Sequence, residues 1–294
     1  MSGQIELFKT SIESGQEGQT DIVNVATVPL LSPFRYPGGK TWLIPEIRNW
    51  LCRLSQKPNI FIEPFAGGGI AALNVAFGKL AQHVIMAEID DNVAAVWEII
   101  LTDADWLANR ILNFEISLEQ TTSSLSTPPI NLRERAFQTI LRNRVQRGGI
   151  MAPGASLMKS GENGKGIGSR WYPQTLAKRI MEIYNRRDSI TFMHCDAFEL
   201  IPKYLDRDDV AFFIDPPYTA GGKRAGKRLY IHNDLDHEKL FSMMSCANGN
   251  FIMTYDDSSE VESMAIKHGF LIKKAIMKNT HHNIIYELLI TNKN

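Results

Sequence analysis

Ile62-Glu63-Pro64-Phe65-Ala66-Gly67-Gly68-Gly69 follows a short apolar run and leads into a helical pattern that begins at Ile70. Glycines at such a junction let the chain turn sharply and let the backbone approach a ligand. The N-terminus of the helix beyond them favours anions and polar groups. The spacing Gly67-x-Gly69-x-x-Ala72 fits a nucleoside-cofactor fingerprint, and Glu88 closes the next apolar run 19 residues after Gly69. An acidic side chain there accepts both hydroxyls of a ribose. The pattern leaves NAD and S-adenosylmethionine both open, and it predicts an α/β fold.

Outward from this loop, short apolar runs alternate with helical patterns, the signature of a mostly parallel sheet. Strands are predicted at 59–63, 83–88, 189–194, 210–215, 250–255, 270–275 and 283–290. Helices are predicted at 41–54, 70–77, 92–101, 132–144, 173–185, 198–204, 237–246 and 259–268. About a hundred residues separate the second and third strands, too many for a plain crossover. We therefore expect a catalytic domain made of 31–102 and 189–294, interrupted by an inserted, mainly helical subdomain at 103–188 with a mobile or ligand-ordered loop at 148–170. Residues 1–30 are expected to be a polar extension.

The chain has 294 residues, 44% of them hydrophobic and 22% charged, as in an ordinary globular protein. No apolar run approaches the ~20 residues that span a membrane, and the polar N-terminus lacks a signal-peptide core, so a cytoplasmic protein is expected. Cys52, Cys195 and Cys246 are far apart. They predict reduced, mostly buried thiols rather than disulfides or a zinc site. His281-His282 has no third ligand nearby in sequence, so no metal is expected. Net charge is zero, yet residues 133–187 carry twelve Lys/Arg against three Asp/Glu. Lys223 and Arg224 belong to a second basic cluster. Segregated positive charge of this kind points to a polyanion partner.

Two further motifs carry chemistry. Phe34-Arg35-Tyr36-Pro37-Gly38-Gly39-Lys40-Thr41 ends like a phosphate-binding P-loop, but Phe34 stands where that loop needs glycine. What remains is a glycine turn that puts Lys40 at the start of a helix, in reach of a cofactor carboxylate. Val210-Ala211-Phe212-Phe213-Ile214 reads as a buried strand and ends in Asp215-Pro216-Pro217-Tyr218. Ligands of open α/β sheets bind beyond the carboxyl ends of strands. Two prolines stiffen this loop and remove two amide donors. Asp215 and the Pro216 carbonyl then offer two acceptors side by side, and Tyr218 offers a flat face.

An exocyclic amine such as the 6-amino group of adenine asks for this arrangement. Its lone pair is delocalised into the ring, and two acceptors on its hydrogens favour the pyramidal form that frees it. An aromatic ring holds a base taken out of the duplex. Positioning then supplies much of the acceleration for in-line attack on a sulfonium methyl. Carbon-5 cytosine chemistry is disfavoured because no cysteine follows a proline. A weaker element is His194-Cys195-Asp196-Ala197-Phe198, where Asp196 either accepts from a cofactor adenine, with Phe198 packed on its ring, or simply caps a helix. The rival readings are a cytosine 4-amino or RNA-base acceptor, an NAD-dependent oxidoreductase, and a non-catalytic DNA-binding protein on the same scaffold.

Taken together these residues resemble the Dam-type (alpha-group) adenine-specific DNA methyltransferases. The glycine-lysine motif, the cofactor loop, the insert and Asp-Pro-Pro-Tyr stand in that family's order. Leu229-Tyr230, Asp236-His237 and Glu287-Leu288-Leu289-Ile290 add further matches. The resemblance implies an S-adenosylmethionine-dependent, Rossmann-like sheet of seven strands with the last reversed, and a site-specific enzyme acting on double-stranded DNA. Its implied catalytic residues are Asp215, Pro216, Pro217 and Tyr218. The expected cofactor residues are Tyr36, Gly39, Lys40, Glu63, Phe65, Gly67, Gly69, Glu88, Asp196, Phe198 and Asp215. Arg142, Arg144, Arg147, Arg170, Lys223 and Arg224 are expected to face phosphates or base edges. Tyr36 replaces the family's usual Trp and Glu88 its usual Asp, and both keep the chemical role. A bacterial or phage setting is implied, with a cognate restriction endonuclease as a candidate partner.

Overall fold

The computed structural model describes residues 7–9, 22–24, 28–35, 39–151, 155–217, 235–278 and 284–292. Strands β1 (Leu7–Lys9) and β2 (Ile22–Asn24) pair antiparallel as a separate two-stranded sheet that lies against the β8 edge of the main sheet. The main sheet is built from β3 (Ile60–Glu63), β4 (His83–Glu88), β5 (Ile190–His194), β6 (Val210–Ile214), β7 (Asn250–Asp256), β8 (Leu271–Lys278) and β9 (Ile284–Thr291). Their order is β5-β4-β3-β6-β7-β9-β8. The five strands from β5 to β7 are parallel, and β9 runs against both β7 and β8. All seven predicted strands are present, and the reversed strand is the last in sequence, as expected.

Side chains alternate across this sheet. Phe61 and Phe213 enter the core on one face, and Ile62 and Phe212 enter the core on the other. The first face is covered by α1 (Ile44–Arg53), α2 (Ile70–Phe77) and α3 (Asp91–Thr102). The second is covered by α8 (Ala197–Leu200), α9 (His237–Met244) and α10 (Ser259–Lys267). β6 is buried along its whole length, which is why it reads as an unbroken apolar run rather than an alternating one. Each fully buried phenylalanine there contributes about 2 kcal/mol of transfer free energy. Helix starts follow local chemistry: the Asp90, Asp236 and Ser258 side chains accept from amides of the first turns of α3, α9 and α10.

Between β4 and β5 lie α4 (Ala104–Leu112), α5 (Leu118–Ser126), α6 (Leu132–Val145) and α7 (Pro173–Tyr184). The sequence reading anticipates α6 and α7 but not α4 or α5. At nine residues each is too short to be stable alone and depends on tertiary packing, although α4 carries an apolar stripe at Ala104, Leu107, Ala108 and Ile111. Leu107, Ile111, Phe137, Ile140 and Ile180 join the cluster that also holds Phe61 and Trp97, so these helices extend the first core. Phe114, Phe137 and Trp171 meet edge to face at centroid distances of 5.1, 5.8 and 6.4 Å. The described part of 148–170 holds short 3-10 turns, including Glu162–Gly164 and Ile167–Arg170, and an antiparallel bridge from Leu157 to Gln146.

Asn143, fully buried on α6, ties this segment to the N-terminal strap. Its Oδ1 accepts from Arg35 N at 2.8 Å, and its Nδ2 donates to Arg35 O and Gly149 O, both at 2.9 Å. Gly149 sits at φ 73°, and a Cβ there would lie 2.3 Å from Arg35 O. The cysteines are free as expected, but Cys52 and Cys246 are exposed, which corrects the reading of mostly buried thiols. Cys52 follows the inward-facing Leu51 on α1 and turns to solvent. Among the described residues no group of His, Cys, Asp and Glu could hold a metal, and no helix is long and apolar enough to cross a membrane. His281 and His282 lie outside the described residues.

Replacing Asn143 by Ala would take this partner from three backbone groups: Gly149 O, which is buried, and Arg35 N and O, which are half-buried. At the usual cost of ~1–3 kcal/mol for each unsatisfied group, partly relieved by relaxation, urea unfolding of Asn143→Ala is expected to show a loss of about 2–4 kcal/mol. A loss below about 1 kcal/mol would remove Asn143 as a clamp.

Candidate active site

Glu63 ends β3, Glu88 ends β4, Asp196 follows β5 by two residues, and Asp215 follows β6 directly. These are four adjacent parallel strands, so the four carboxylates line one edge of the sheet. The strand order reverses between β3 and β6, and that switch point is where open α/β sheets bind ligands.

The glycine loop is pinned from several sides. Gly67 N donates to Glu88 Oε2 at 2.9 Å, Trp97 Nε1 donates to Gly67 O at 2.9 Å, and Ser32 Oγ donates to Gly68 O at 2.6 Å. Gly69 caps α2 at φ 61°, and a Cβ there would sit 2.9 Å from the Trp97 ring. Glu88 Oε1 also accepts from Ile89 N and Asp90 N at 2.8 and 3.0 Å. Burial nevertheless raises the Glu88 pKa above its ordinary value, outweighing these donors. Glu63, 4% exposed, accepts from Ala72 N in the first turn of α2 at 2.7 Å. Burial is the main cause that pushes its carboxyl up to about 8, with Asp215 adding to it, so Glu63 is largely neutral at pH 7. Phe65 is half-buried against the second core.

Lys40 is 4% exposed, and its Nζ lies 3.2 Å from Asp215 Oδ1 and 3.3 Å from Glu287 Oε2. Burial raises the Glu287 carboxyl to about 7 against the opposing pull of Lys40. Thr254, wholly buried on β7, donates its hydroxyl to Asp215 Oδ1 at 2.7 Å. Two elements therefore grip the same oxygen of Asp215, whose side chain keeps 22% exposure. Pro216 is buried and Pro217 half-buried behind it, and Gly39 is half-exposed beside Lys40. Tyr36 and Tyr218 lie outside the described residues.

Asp196 caps α8 through Phe198 N at 2.8 Å, so the helix-cap alternative is realised for one of its oxygens. Phe198 is half-buried, with Lys239 Nζ 4.8 Å from its ring centre. The donor set suits S-adenosylmethionine: a glycine turn at a helix start, a carboxylate at the end of β4 for ribose hydroxyls, and an acid and an aromatic ring beyond β5 for adenine.

The basic residues divide. Arg147 is exposed, and Arg142 is half-buried with Nη2 3.5 Å from Leu125 O. Arg170 pairs with Glu162. Arg144 departs from the expectation of a DNA-facing side chain. It is 4% exposed and donates to Pro33 O. On α6 it shares a stripe with Phe137, Ile140 and Leu141, and successive helical residues turn by ~100°, so Arg142 and Arg144 point apart. Lys223 and Arg224 lie outside the described residues. Thr254, Asn143, Ser32 and Arg179 carry no signal of their own in the sequence. Each is a single polar residue whose role comes from a distant partner, and the inward stripe of α6 was the one usable signal, for Asn143 and Arg144.

Comparison with known proteins matches residues 36–279 to the family described as D12 class N6 adenine-specific DNA methyltransferase. The type II methyltransferase M.MjaIII of Methanocaldococcus jannaschii is 22% identical over 293 residues, covering 89% of this chain and 99% of that protein. The type II methyltransferase M1.LlaDCHI of Lactococcus lactis subsp. cremoris is 23% identical over 282 residues, covering 89% and 95%. Among solved structures, the rRNA methyltransferase aviRa from Streptomyces viridochromogenes superposes with a TM-score of 0.38 at 13% identity, covering 87% of this chain and 86% of that one.

Glu63 keeps its proton to about pH 8 in the fold and to 4.5 ordinarily, so the folded chain binds the extra proton between these values. Its contribution to stability therefore declines as pH rises through that window. Glu63→Gln, which imitates the protonated acid, is expected to flatten the decline between pH 5 and 8 by roughly 2–4 kcal/mol in urea titrations. An unchanged slope would show that Glu63 is ionised in the fold. Gly69→Ala is expected to lose about 1–3 kcal/mol and to weaken binding of S-adenosylhomocysteine in calorimetry, because it forces both a left-handed backbone and a clash with Trp97.

Proposed function

The chain belongs to the D12 class of N6 adenine-specific DNA methyltransferases and transfers a methyl group from S-adenosylmethionine to the 6-amino group of adenine in DNA; we propose that Asp215 and the Pro216 carbonyl are the acceptors that prepare that amine. The observation that carries this reading is the grip on Asp215. Thr254 and Lys40 hold Oδ1 at 2.7 and 3.2 Å at the end of β6, which orients the carboxylate without an enzyme nucleophile. Pro216 has no amide hydrogen, so its neighbourhood offers acceptors rather than donors.

When bound, S-adenosylmethionine supplies an electrophilic sulfonium methyl. Gly67 to Gly69, Glu88, Asp196 and Phe198 would hold its nucleoside, and Lys40, paired with Asp215 and Glu287, would stand towards its carboxylate end. Tyr36, Gly39, Glu63 and Phe65 complete the proposed cofactor wall. Tyr218 stacks the base flipped out of double-stranded DNA, and Asp215 keeps the amine's hydrogens directed away from the attacking lone pair. Segment 103–188 serves as the target-recognition part of a catalytic domain formed by 31–102 and 189–294, with 1–30 as an extension. Arg142, Arg147 and Arg170, together with Lys223 and Arg224, meet the DNA. The motif order supports a Dam-type, alpha-group assignment, the type II names of both curated relatives support a companion restriction endonuclease, and a cytoplasmic bacterial or phage setting belongs to the same reading.

Incubation with labelled cofactor and mixed-sequence DNA, followed by nucleoside analysis, is expected to yield N6-methyladenine. Asp215→Ala is expected to retain S-adenosylhomocysteine binding while single-turnover methylation falls by at least ~10²-fold, the usual scale for removing a transition-state contact. Turnover within about threefold of wild type would sink the role given to Asp215.

A further inference from the structure

Four arginines converge on one cavity of about 370 Å³, lined by the 29–35 strap, Gly39 and Thr41, α2, the end of α6 and the start of α7. Arg35, Arg144, Arg170 and Arg179 line it, with Tyr172 and Thr175 on the α7 side and no carboxylate in its wall. Arg179 Nη1 donates to Ser32 O at 3.0 Å, and Arg144 spends Nη2 on Pro33 O. Glu162 is shared by Arg35 and Arg170. Three buried guanidinium nitrogens are left without an acceptor: Arg35 Nη1, Arg144 Nε and Arg170 Nε.

A buried charged donor without a partner is costly, and three around one space is an arrangement that a folded chain keeps for an anion. The cost is visible in Arg144, whose pKa is pushed down to about 10, first by burial and then by Arg179 and Arg35. It stays charged at neutral pH. The start of α7 adds to the same wall. This twelve-residue helix has no acidic residue in its first turn and no side-chain cap, so its open amides favour negative charge.

We propose that this cavity is a phosphate-binding site. Planar guanidinium forks match tetrahedral phosphate oxygens bidentately, which a single carboxylate such as Glu162 cannot satisfy for four arginines. The phosphate belongs either to the DNA strand, a source that rests on the DNA-methyltransferase reading, or to a free phosphate or nucleotide. Ser32 links the site to the cofactor loop, because its carbonyl accepts from Arg179 while its hydroxyl holds Gly68 O.

The test uses the full chain. Thermal unfolding is followed in sodium phosphate, sodium pyrophosphate and sodium chloride at matched ionic strength, and duplex binding is followed by anisotropy across a salt series. Both are repeated for Arg170→Gln with Arg179→Gln, two partly exposed positions. Phosphate or pyrophosphate is expected to raise the wild-type Tm above the chloride value, and the double variant to lose that rise. If the strand is the source, the slope of log K against log salt also shrinks by about 0.9 for each DNA phosphate that the variant no longer neutralises. If the source is free, the slope stays unchanged while the protection persists in the wild type. Absence of both protection and slope change overturns the site, as does a loss of S-adenosylhomocysteine binding in the variant with the DNA slope intact, which would assign the charge to the cofactor carboxylate. The wild-type anion series needs no variant, so a misfolded variant does not spare the proposal. Nucleoside analysis tests the methyltransferase reading separately.

Discussion

A lysine ammonium sealed inside a protein has to be met by carboxylates, because an unpaired buried charge costs several kcal/mol. Lys40 meets this demand with Asp215 and Glu287, and the demand organises the site. Lys40 stands just before the 3-10 turn Thr41–Leu43 that leads into α1, Asp215 at the end of β6, and Glu287 on β9. Three segments remote in sequence must therefore assemble before the lysine is satisfied. Glu287 reaches this position because β9 runs backwards between β7 and β8, which places it opposite Asp256. Thr254, two residues before Asp256, then completes the hold on Asp215. The reversed strand is thus part of the chemistry's support as well as the sheet's edge.

A second consequence concerns charge at the cleft. Glu63 and Glu287 both bind protons more tightly than ordinary carboxylates, and Asp215 contributes to both shifts. Neutral Glu63 keeps its hydrogen bond to the start of α2 without adding negative charge beside Asp215. Asp215 and Lys40 then form the dominant charge pair where the carboxyl ends of β3 and β6 diverge.

Much of this architecture is legible in the sequence because the sheet's interior strands are buried on both faces. Val210 to Ile214 can be read as a strand without knowing its neighbours. Glu63, Glu88 and Asp215 are legible for the same reason, since each is an acid at the end of such a run. The helix α5 is not, because its stability comes from what it packs against, whereas α4 shows an apolar stripe at Ala104, Leu107, Ala108 and Ile111 that the reading passed over. Thr254 is invisible for a related reason: a threonine inside a buried strand acquires a role only when Asp215 arrives beside it. Arg144 shows the limit of counting charges. It adds one to the basic total of 133–187, but helical phase turns it into the interior.

The helices between β4 and β5 do not enclose a core of their own. Phe137, Ile140 and Ile180 share one cluster with Trp97 and Phe61, and Asn143 fastens α6 to the 29–35 strap. This stretch is therefore not a detachable cassette. A transplanted segment would have to match the host's α3, its strap and its cofactor loop all at once.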